Sequence, residues 1–553
     1  MKAIIKIFAP LVILFATVFI TPSSIYGQTS VAKDYSHLYK DLPFQMKEVE
    51  LPVFPLIQVN IKDFGAKGDG ITSNTKAIAA AIDAVSKKGG GTVVIPEGVW
   101  LTGPIVLKNN ICIDTKKGAL VIFSKNRDEY PLVKTWYEGL ESWRAMAPIF
   151  ADKAENIAII GEGIFDGSGE VWRPVKKFQM TDAEWKAIIA SGGTITSDGK
   201  TWHPDSSALQ GSIHNTPRGE MDLQIAKRTK TFLRPVMLNL ISCKKILIEG
   251  ITIQNTPSWG LHPVLCDQII FNNVKVYNED WVVNGDALDL ESCKNALVTN
   301  CLFDAGDDGI CIKSGRDKEG RKRGVPTENV IISNCIVYSG HGGFVIGSEM
   351  SGGARNIKVS HCTFMGTDNG LRFKSTRGRG GLVENIYISD INMINIQQDA
   401  ILFDLYYFVK ERSSVVPPVD ETTPQFRNIF LKDIVCKGAQ RAILLQGLPE
   451  MNLNNINLKN VTIESRTGAY CSDATQIAMK NITLLTTTLP AIQIKNVKEM
   501  DIRELKLNQG ANATLIDISG EKTQNVTIQG GNFNQEAVSI GKEVRLEGVK
   551  ISK

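Results

Sequence analysis

Three segments of the chain repeat one pattern: KNALVTNCLF at residues 294–303, ENVIISNCIV at 328–337 and RNIKVSHCTF at 355–364. In each segment apolar residues alternate with other residues, which is the periodicity of a β-strand. A polar pair interrupts the alternation in the middle, and Asn and Ser favour turns. Each segment therefore predicts two short strands that are joined by a sharp turn.

The same unit recurs from about Lys244 to the end of the chain, and its first apolar position after the turn can be followed from copy to copy. These positions are Ile251, Val274, Cys301, Cys335, Cys362, Ile391, Ile434, Val461, Ile482, Leu505, Gly531 and Val549. Most of them lie about 18 to 34 residues apart. Short strands at this spacing predict a solenoid, in which each coil buries its apolar face against the next. A leucine-rich repeat is the competing solenoid, but it needs fixed Leu spacing and a helix in each repeat.

We therefore expect an all-β fold, a single-stranded right-handed parallel β-helix. Its N-terminal end has a candidate cap at residues 75–85, which are rich in Ala and Ile at helical spacing and follow the possible N-caps Ser73 and Asn74. An amphipathic helix here would cover the open end of the solenoid. Further coils are predicted at residues 91–98, 110–123 and 156–169.

The first 27 residues have the composition of an export signal. Lys2 and Lys6 are basic, and an apolar run follows from residue 7 to residue 20. A membrane anchor is the alternative, for which the run is barely long enough. We expect residues 1–27 to be removed, and residues 28–553 to act in the periplasm or outside the cell without a membrane attachment.

The repeat is interrupted at about residues 172–235, which predicts a loop insertion. Long insertions in solenoids lie on one face, often the binding face. A surface loop without a function is the alternative.

The net charge bears on the class of partner, and the cysteines bear on whether the chain forms disulfides. The net charge is +4, and no run of Lys and Arg alternates with aromatic residues, which excludes a nucleic-acid partner and suits a polyanionic substrate. The 10 Cys residues suggest disulfides in an exported chain. However, Cys301, Cys335 and Cys362 occupy equivalent places inside apolar runs, so we expect buried free thiols.

Polar clusters fall on four consecutive coils. They are NGDALDLES at residues 284–292, AGDDGICIKSG at 305–315, SGHGGFVIGSE at 339–349 and GLRFKS at 370–375. Asp307 lies six residues after Cys301, and His341 lies six residues after Cys335. If the coils stack in register, these two side chains are neighbours, about 4.8 Å apart at the backbone. Asp286 comes from the coil before.

This set of residue types suits glycoside hydrolysis. One carboxylic acid must donate a proton to the leaving oxygen, and another must be ionised to activate a water. Adjacent carboxylates such as Asp307 and Asp308 resist joint ionisation. We expect carboxylates on neighbouring coils to reach the spacing of roughly 6.5–9.5 Å that accommodates a water and gives inversion. Arg372 and Lys374 alternate in a strand, so both can bind a substrate carboxylate.

The motifs and their order resemble those of glycoside hydrolase family 28, the polygalacturonases. The matching segments are Asn284-Gly285-Asp286, Gly306-Asp307-Asp308, Gly340-His341-Gly342 and Arg372-Phe373-Lys374. The likeness runs from about Val59 to at least Lys374. It implies the solenoid of the pectin lyase-like proteins and an inverting hydrolase that needs no metal and no other cofactor. Residues 255–262 resemble bacterial members.

Carried over residue by residue, the resemblance implies that Asp307 is the general acid and that Asp286 and Asp308 activate the water. His341 would orient the acid. The substrate-binding set that we expect is Arg372, Lys374, Asn284, Lys313, His262 and Tyr406. Gly285, Ala287 and Gly309 depart from the family's usual residues and leave the exact linkage open.

The predicted activity is hydrolysis of α-1,4-galacturonosidic bonds in polygalacturonate, an acidic plant cell-wall polysaccharide. The insertion at residues 172–235 favours an exo-acting enzyme, since it would close one end of the cleft. A hydrolase of rhamnogalacturonan or of another uronic-acid glycan is the alternative, although such relatives tend to lack the His and the Arg-x-Lys pair. A Ca²⁺-dependent pectate lyase and a non-catalytic glycan-binding solenoid are the competing classes.

Overall fold

The computed structural model describes residues 34–214, 222–410, 415–508 and 513–552. The chain divides into a short N-terminal unit, whose Ser36–Tyr39 form a 3-10 helix, and a large unit from Asp41 onward. The predicted export signal lies outside the described residues. No helix in the described part of the chain is long and apolar enough to cross a membrane.

Parallel strands build the large unit, and 33 strands of the described residues form one sheet that winds along the solenoid. They are Gln58–Asn60, Gly91–Ile95, Gly98–Thr102, Ile105–Val106, Ile111–Thr115, Ala119–Phe123, Ile149–Asp152, Glu155–Gly161, Ile164–Asp166, Leu238–Ile241, Lys244–Glu249, Thr252–Gln254, Leu261–Val264, Asp267–Asn272, Lys275–Tyr277, Leu288–Glu291, Lys294–Thr299, Leu302–Asp304, Asp308–Lys313, Thr327–Ser333, Ile336–Tyr338, Gly342–Ile346, Ala354–Met365, Leu371–Lys374, Leu382–Asp404, Gln425–Gln446, Leu453–Ser465, Thr467–Thr486, Ile492–Leu507, Ile516–Ser519, Gln524–Gly531, Val538–Ile540 and Val549–Ser552. The fold is a right-handed parallel β-helix, the hand expected of parallel crossovers.

The predicted register of the repeat is confirmed from Ile251 to Gly531. Cys362 pairs with Ile391 and Ile391 with Ile434, and the other pairs follow the same ladder. The last position, Val549, was assigned wrongly, because it pairs with Val526 on the strand before the turn. Residues Leu546–Gly548 form a 3-10 helix where the first strand of that unit was expected.

Asparagines recur at equivalent positions near the start of a strand in successive coils. Asn295, Asn329, Asn356 and Asn385 all have φ between 52° and 57°, a left-handed conformation that Asn adopts more readily than most residues. Their side-chain amides also bond from coil to coil: Asn329 Nδ2 donates to Asn295 Oδ1 at 3.2 Å, and Asn356 Nδ2 donates to Asn329 Oδ1 at 3.2 Å. These side-chain bonds therefore help to hold the coils in register.

The interior of the solenoid is a continuous apolar core. All ten cysteines are free and buried, as predicted. The N-terminal cap is confirmed as the helix Thr75–Ser86, whose Ile78, Ile82 and Val85 enter the core. The predicted capping bond is absent, because Asn74 uses its side chain to bind the preceding loop and Leu101 O instead of the helix.

Three additions interrupt the coils. The predicted insertion contains the helices Asp182–Ala190, Ser206–Ile213 and Leu223–Arg228 and an antiparallel sheet of Val175–Lys176, Thr194–Ile195 and Thr201–His203. An antiparallel hairpin of Leu132–Tyr137 and Leu140–Ala145 was not predicted. A short helix, Asp317–Arg323, follows the strand that carries Lys313.

Candidate active site

The three predicted catalytic aspartates meet on two stacked coils. Leu288 pairs with Ile310, so Asp286 lies over Asp308, and Asp307 comes immediately before Asp308. One oxygen from each carboxylate lies within 4.8 Å of the others. This spacing is shorter than the roughly 6.5–9.5 Å expected from the sequence, so that expectation was wrong. The direct stacking of the two coils, which is about 4.8 Å in a parallel sheet, sets the shorter distance.

His341 lies beside Asp307, as the repeat predicted. Asp308 pairs with Gly342, which puts His341 next to Asp307 on the adjacent coil. The His341 Nδ1 atom is 2.9 Å from Asp307 Oδ1, and about half of the imidazole surface is exposed. The hydrogen bond with Asp307 raises the pKa of His341, because it favours the cationic ring.

Two cations hold the buried Asp308. Lys374 Nζ donates to Asp308 Oδ2 at 2.7 Å, and Arg372 Nη1 donates to Asp308 Oδ1 at 3.1 Å. Burial alone would raise the pKa of Asp308, but Lys374 and Arg372 together bring it well below its usual range. Asp308 is therefore ionised, and the two cations predicted to bind a substrate carboxylate are already shared with an aspartate.

Asp286 has the opposite surroundings, although it is also buried. Burial, followed by the nearby Asp289, raises the pKa of Asp286 well above its ordinary value. Lys313 Nζ lies 3.8 Å from Asp286 Oδ2 and 3.3 Å from Asp289 Oδ1. Asp286 Oδ1 is buried and has no hydrogen-bond partner among the described residues, so it is available to a water or a substrate group.

Lys313 itself lies beneath the aspartates rather than in the cleft. It is only 4% exposed, and its ammonium also lies 3.4 Å from Glu349 Oε2. Burial alone would raise the pKa of Glu349, but Lys313 and Arg379 lower it to about 2. The prediction that Lys313 contacts substrate is therefore corrected: its contacts position the aspartates.

His262 is also corrected. Its side chain has no exposed surface, and its Nε2 lies 3.0 Å from Glu291 Oε2 inside the solenoid. Burial alone would raise the pKa of Glu291, but Arg323 and His262 lower it to about 2. A buried pair of this kind cannot contact a sugar, so His262 belongs to the support of the site.

Of two neighbouring tyrosines, Tyr407 rather than the predicted Tyr406 lies against the cations of the site. Arg372 and Lys374 lie over the ring of Tyr407, at 5.6 Å and 5.2 Å from its centroid. Tyr406, which the sequence favoured, instead lies against Arg377 at 5.2 Å. Both tyrosines follow a β-helix strand, and the direction of each ring depends on the loop that begins at residue 405.

Asn284 links the site to the insertion. Arg234 Nη2 donates to Asn284 Oδ1 at 2.7 Å, and Arg234 Nη1 donates to Val283 O at 2.8 Å. The sequence did not single out Arg234. It also missed Arg144 of the hairpin, although two alternating runs around Glu138-Gly139 are a hairpin signal.

Comparisons with known proteins agree with this geometry. The family model described as "Glycosyl hydrolases family 28" matches residues 175–483, and one described as "Rhamnogalacturonase A/epimerase, pectate lyase-like" matches residues 58–164. The chain is 26% identical to a probable polygalacturonase of Vitis vinifera over 73% of this chain and 74% of that one. It is 26% identical to an exo-poly-alpha-D-galacturonosidase of Dickeya chrysanthemi over 77% of this chain and 70% of that one. The crystal structure of an exopolygalacturonase from Thermotoga maritima matches with a TM-score of 0.64 and 34% identity, over 76% of this chain and 89% of that one.

Proposed function

Because the chain belongs to glycosyl hydrolases family 28, we propose that it releases galacturonate from the ends of polygalacturonate chains, by inverting hydrolysis of α-1,4 bonds. The chain is a glycoside hydrolase of the polygalacturonase family, and galacturonan is its substrate class. The observation that carries the finer proposal is the group of three carboxylates beside a Lys–Arg pair on one face of the solenoid.

The surroundings of each aspartate suggest its role. Asp308, which Lys374 and Arg372 keep ionised, activates the water as general base. Asp286 holds the same water through Oδ1, which has no hydrogen-bond partner among the described residues. Asp307 is the most exposed of the three and hydrogen-bonds His341, so it faces the leaving group as general acid while His341 orients it.

An activated substrate separates the acid from the base. An aryl galacturonoside with an acidic phenol needs little help from a general acid, so Asp307→Asn should keep much more of its rate on this substrate than on polygalacturonate. Asp308→Asn should lose its rate on both substrates. Equal losses of rate by Asp307→Asn on both substrates would show that Asp307 is not the acid.

Inversion rests on family membership and on the water between Asp286 and Asp308, since the carboxylate spacing does not support it. Proton NMR of the first minutes of the reaction reads the anomer of the new reducing end. An inverting enzyme gives the β anomer from an α linkage first. Initial release of the α anomer would mean retention.

The exo mode is supported by the contact of the insertion with the site through Arg234 and Asn284. We expect monomer from the start of the reaction and a slow loss of viscosity. Replacing residues 175–232 by a short Gly/Ser linker should then yield mixed oligomers and a faster loss of viscosity. Mixed oligomers from the unaltered enzyme would contradict the exo mode, and rhamnogalacturonan cleavage without galacturonan cleavage would contradict the substrate.

A Ca²⁺-dependent lyase is the second candidate, favoured by the closeness of the three carboxylates, which offer oxygen ligands to a cation. Against it, Lys374 and Arg372 already neutralise Asp308. Ultraviolet absorbance of unsaturated products, together with loss of activity in a chelator, would identify the lyase. The hydrolase, for which we expect no metal, should show neither.

We also propose that residues 1–27 direct export and are removed, and that residues 28–553 form one β-helix domain with an insertion at about residues 172–235. Sequencing the N terminus of the mature protein from the periplasm and from the medium tests both the cleavage and the location. A mature protein that still begins at Met1 would contradict the proposal.

A further inference from the structure

A cavity of about 220 Å³ lies between the insertion, the hairpin of residues 132–145 and the coil that carries Asn284. Its walls include Tyr137, Arg144, Trp172, His203, Arg234 and Asn284. The volume is below the roughly 300–1,000 Å³ of pockets for drug-sized ligands, so the cavity suits a single sugar ring rather than a chain.

Two guanidinium groups of this wall are buried, and Glu138, a carboxylate that also lines the cavity, forms an ion pair with Arg316 instead. Arg144 is 6% exposed and Arg234 is 8% exposed. Arg144 donates from Nε and Nη2 to the backbone oxygen of Arg234, while Arg234 donates to Asn284 Oδ1 and to the backbone oxygens of Val283 and Pro257. Neither forms an ion pair with a carboxylate in the part of the chain that the structure describes. Burying a cation without a counter-ion is costly, so an anionic ligand would stabilise these two guanidinium groups.

Two further polar side chains of the wall are buried. His203 is 4% exposed and Tyr137 is 6% exposed, and neither His203 Nε2 nor the Tyr137 hydroxyl has a hydrogen-bond partner among the described residues. Buried polar atoms are normally paired, so these two atoms mark places for groups of a ligand.

The cavity adjoins the Asp286 side of the aspartate cluster. Asn284 lines the cavity and comes two residues before Asp286. Tyr137 stacks on Trp259 with ring centroids 4.5 Å apart, and Lys313, the neighbour of Asp286, lies 4.8 Å above the same Trp259 ring. The Arg372–Lys374 pair lies on the coils beyond Asp308, so a sugar in the cavity and a sugar over that pair would flank the aspartates.

We propose that this cavity binds the uronic-acid residue at the end of the substrate chain. Arg144 and Arg234 donate to its carboxylate, and His203 and Tyr137 bond its hydroxyl groups. The inference rests on the proposed exo-acting function, because it makes the wall of the insertion the place where the chain end stops.

Titration calorimetry with galacturonate and with galactose, its neutral counterpart, tests the cavity without turnover. We expect the unaltered enzyme to bind galacturonate more tightly than galactose. Arg144→Leu should weaken galacturonate binding by about 10- to 100-fold, the effect of a lost charge-assisted hydrogen bond, and leave galactose binding unchanged. Arg355→Leu, an exposed arginine paired with Glu328, is the matched control and should change neither.

Since Arg144 also supports the backbone of Arg234, its variant is tested for its melting temperature, and His203→Leu provides a second variant that removes no hydrogen bond of Nε2. We expect His203→Leu to weaken galacturonate and galactose binding by a similar factor of about 3- to 10-fold. Full-strength galacturonate binding by a folded Arg144→Leu, or by His203→Leu, would overturn the inference. So would a lack of measurable galacturonate binding by the unaltered enzyme.

Activity on polygalacturonate, measured separately, keeps the two proposals apart. Exo cleavage by the unaltered enzyme with full galacturonate binding by Arg144→Leu would reject the cavity and keep the function. Loss of galacturonate binding in Arg144→Leu, with no polygalacturonate cleavage by the unaltered enzyme, would reject the function and keep the cavity as a uronate site.

Discussion

Asp308 and Asp286 lie one above the other on adjacent coils, and both are buried, yet their pKa values are shifted in opposite directions. Asp308 receives a hydrogen bond from a cation on each oxygen, from Lys374 and Arg372. Asp286 lies near a second buried carboxylate, Asp289, and its nearest cation, Lys313, is 3.8 Å from Asp286 Oδ2. Equal burial therefore does not decide the direction of the pKa shift, because the neighbouring coils decide which charges accompany each aspartate.

The same asymmetry divides the whole site. On the Asp308 side, cations from regular coils neutralise the carboxylate. On the Asp286 side, the insertion brings Arg234 against Asn284 and leaves two buried cations without a carboxylate partner among the described residues. One side is thus prepared to activate water, and the other is prepared to receive an anionic sugar.

Removing the ionised member of the pair should have the largest effect. Asp308→Asn keeps the shape but cannot accept a proton from water, so we expect kcat on polygalacturonate to fall by about 10²–10⁴-fold. Initial rates of reducing-sugar release measure it. Asp390→Asn, at an exposed left-handed turn, is the control and should keep full activity. A small loss in Asp308→Asn would remove Asp308 from the base role.

Removing one of the cations should make Asp308 resemble Asp286. Lys374→Met takes away the cation at 2.7 Å, which raises the pKa of Asp308 and moves the acid limb of the pH–rate profile to higher pH. We expect kcat/KM at neutral pH to fall by about 10- to 100-fold. Lys480→Met, on a distant exposed position, should leave the profile in place. An unmoved acid limb in Lys374→Met would show that this cation does not control the base.

Neutralising Asp289, the buried carboxylate near Asp286, should change the free energy of unfolding and leave the fold unchanged. The pKa of Asp289 is raised to about 7, chiefly by burial, against 3.8 for the free group. A raised carboxyl pKa destabilises the fold as pH rises from about 4 through 7, and has no effect below that range. Asp289→Asn should therefore stabilise the fold at pH 8, by about 1–2 kcal/mol because the lost ion pair with Lys313 offsets part of the gain, and less at pH 4.

Denaturant unfolding at pH 4 and pH 8 measures this difference. Asp267→Asn, which replaces a partly exposed carboxylate outside the site, is the control and should show no comparable gain at pH 8. A variant Asp289→Asn that is less stable at pH 8 than at pH 4, relative to the unaltered protein, would mean that Asp289 is held ionised.

The tyrosines provide the smallest contrast. Tyr407 lies under both cations of the Asp308 side, so Tyr407→Ala should lower kcat/KM by about 2- to 5-fold through the lost cation–π contacts. Tyr406→Ala, whose ring meets Arg377, should change it less. The reverse order would restore Tyr406 as the substrate contact.

Much of the site was predictable because equivalent positions recur in each repeat and can be counted along the chain. Asp307 and His341 follow equivalent cysteines by the same six residues, so counting along the chain placed them side by side. The same counting failed at Val549, where a 3-10 helix replaced a strand. It also could not predict the positions of Arg144 and Arg234, because the hairpin and the insertion lie outside the repeat.

The sequence by itself determined the solenoid, the stacking of its coils and the meeting of Asp286, Asp307, Asp308 and His341, because alternation and period are local properties that add up along a regular ladder. Only the tertiary structure decided which carboxylate stays ionised, that His262 and Lys313 are buried supports, and that Tyr407 rather than Tyr406 faces the cations. These outcomes depend on burial and on charges that arrive from other coils and from the insertion. Such distances are set by packing in three dimensions, which no spacing along the chain records.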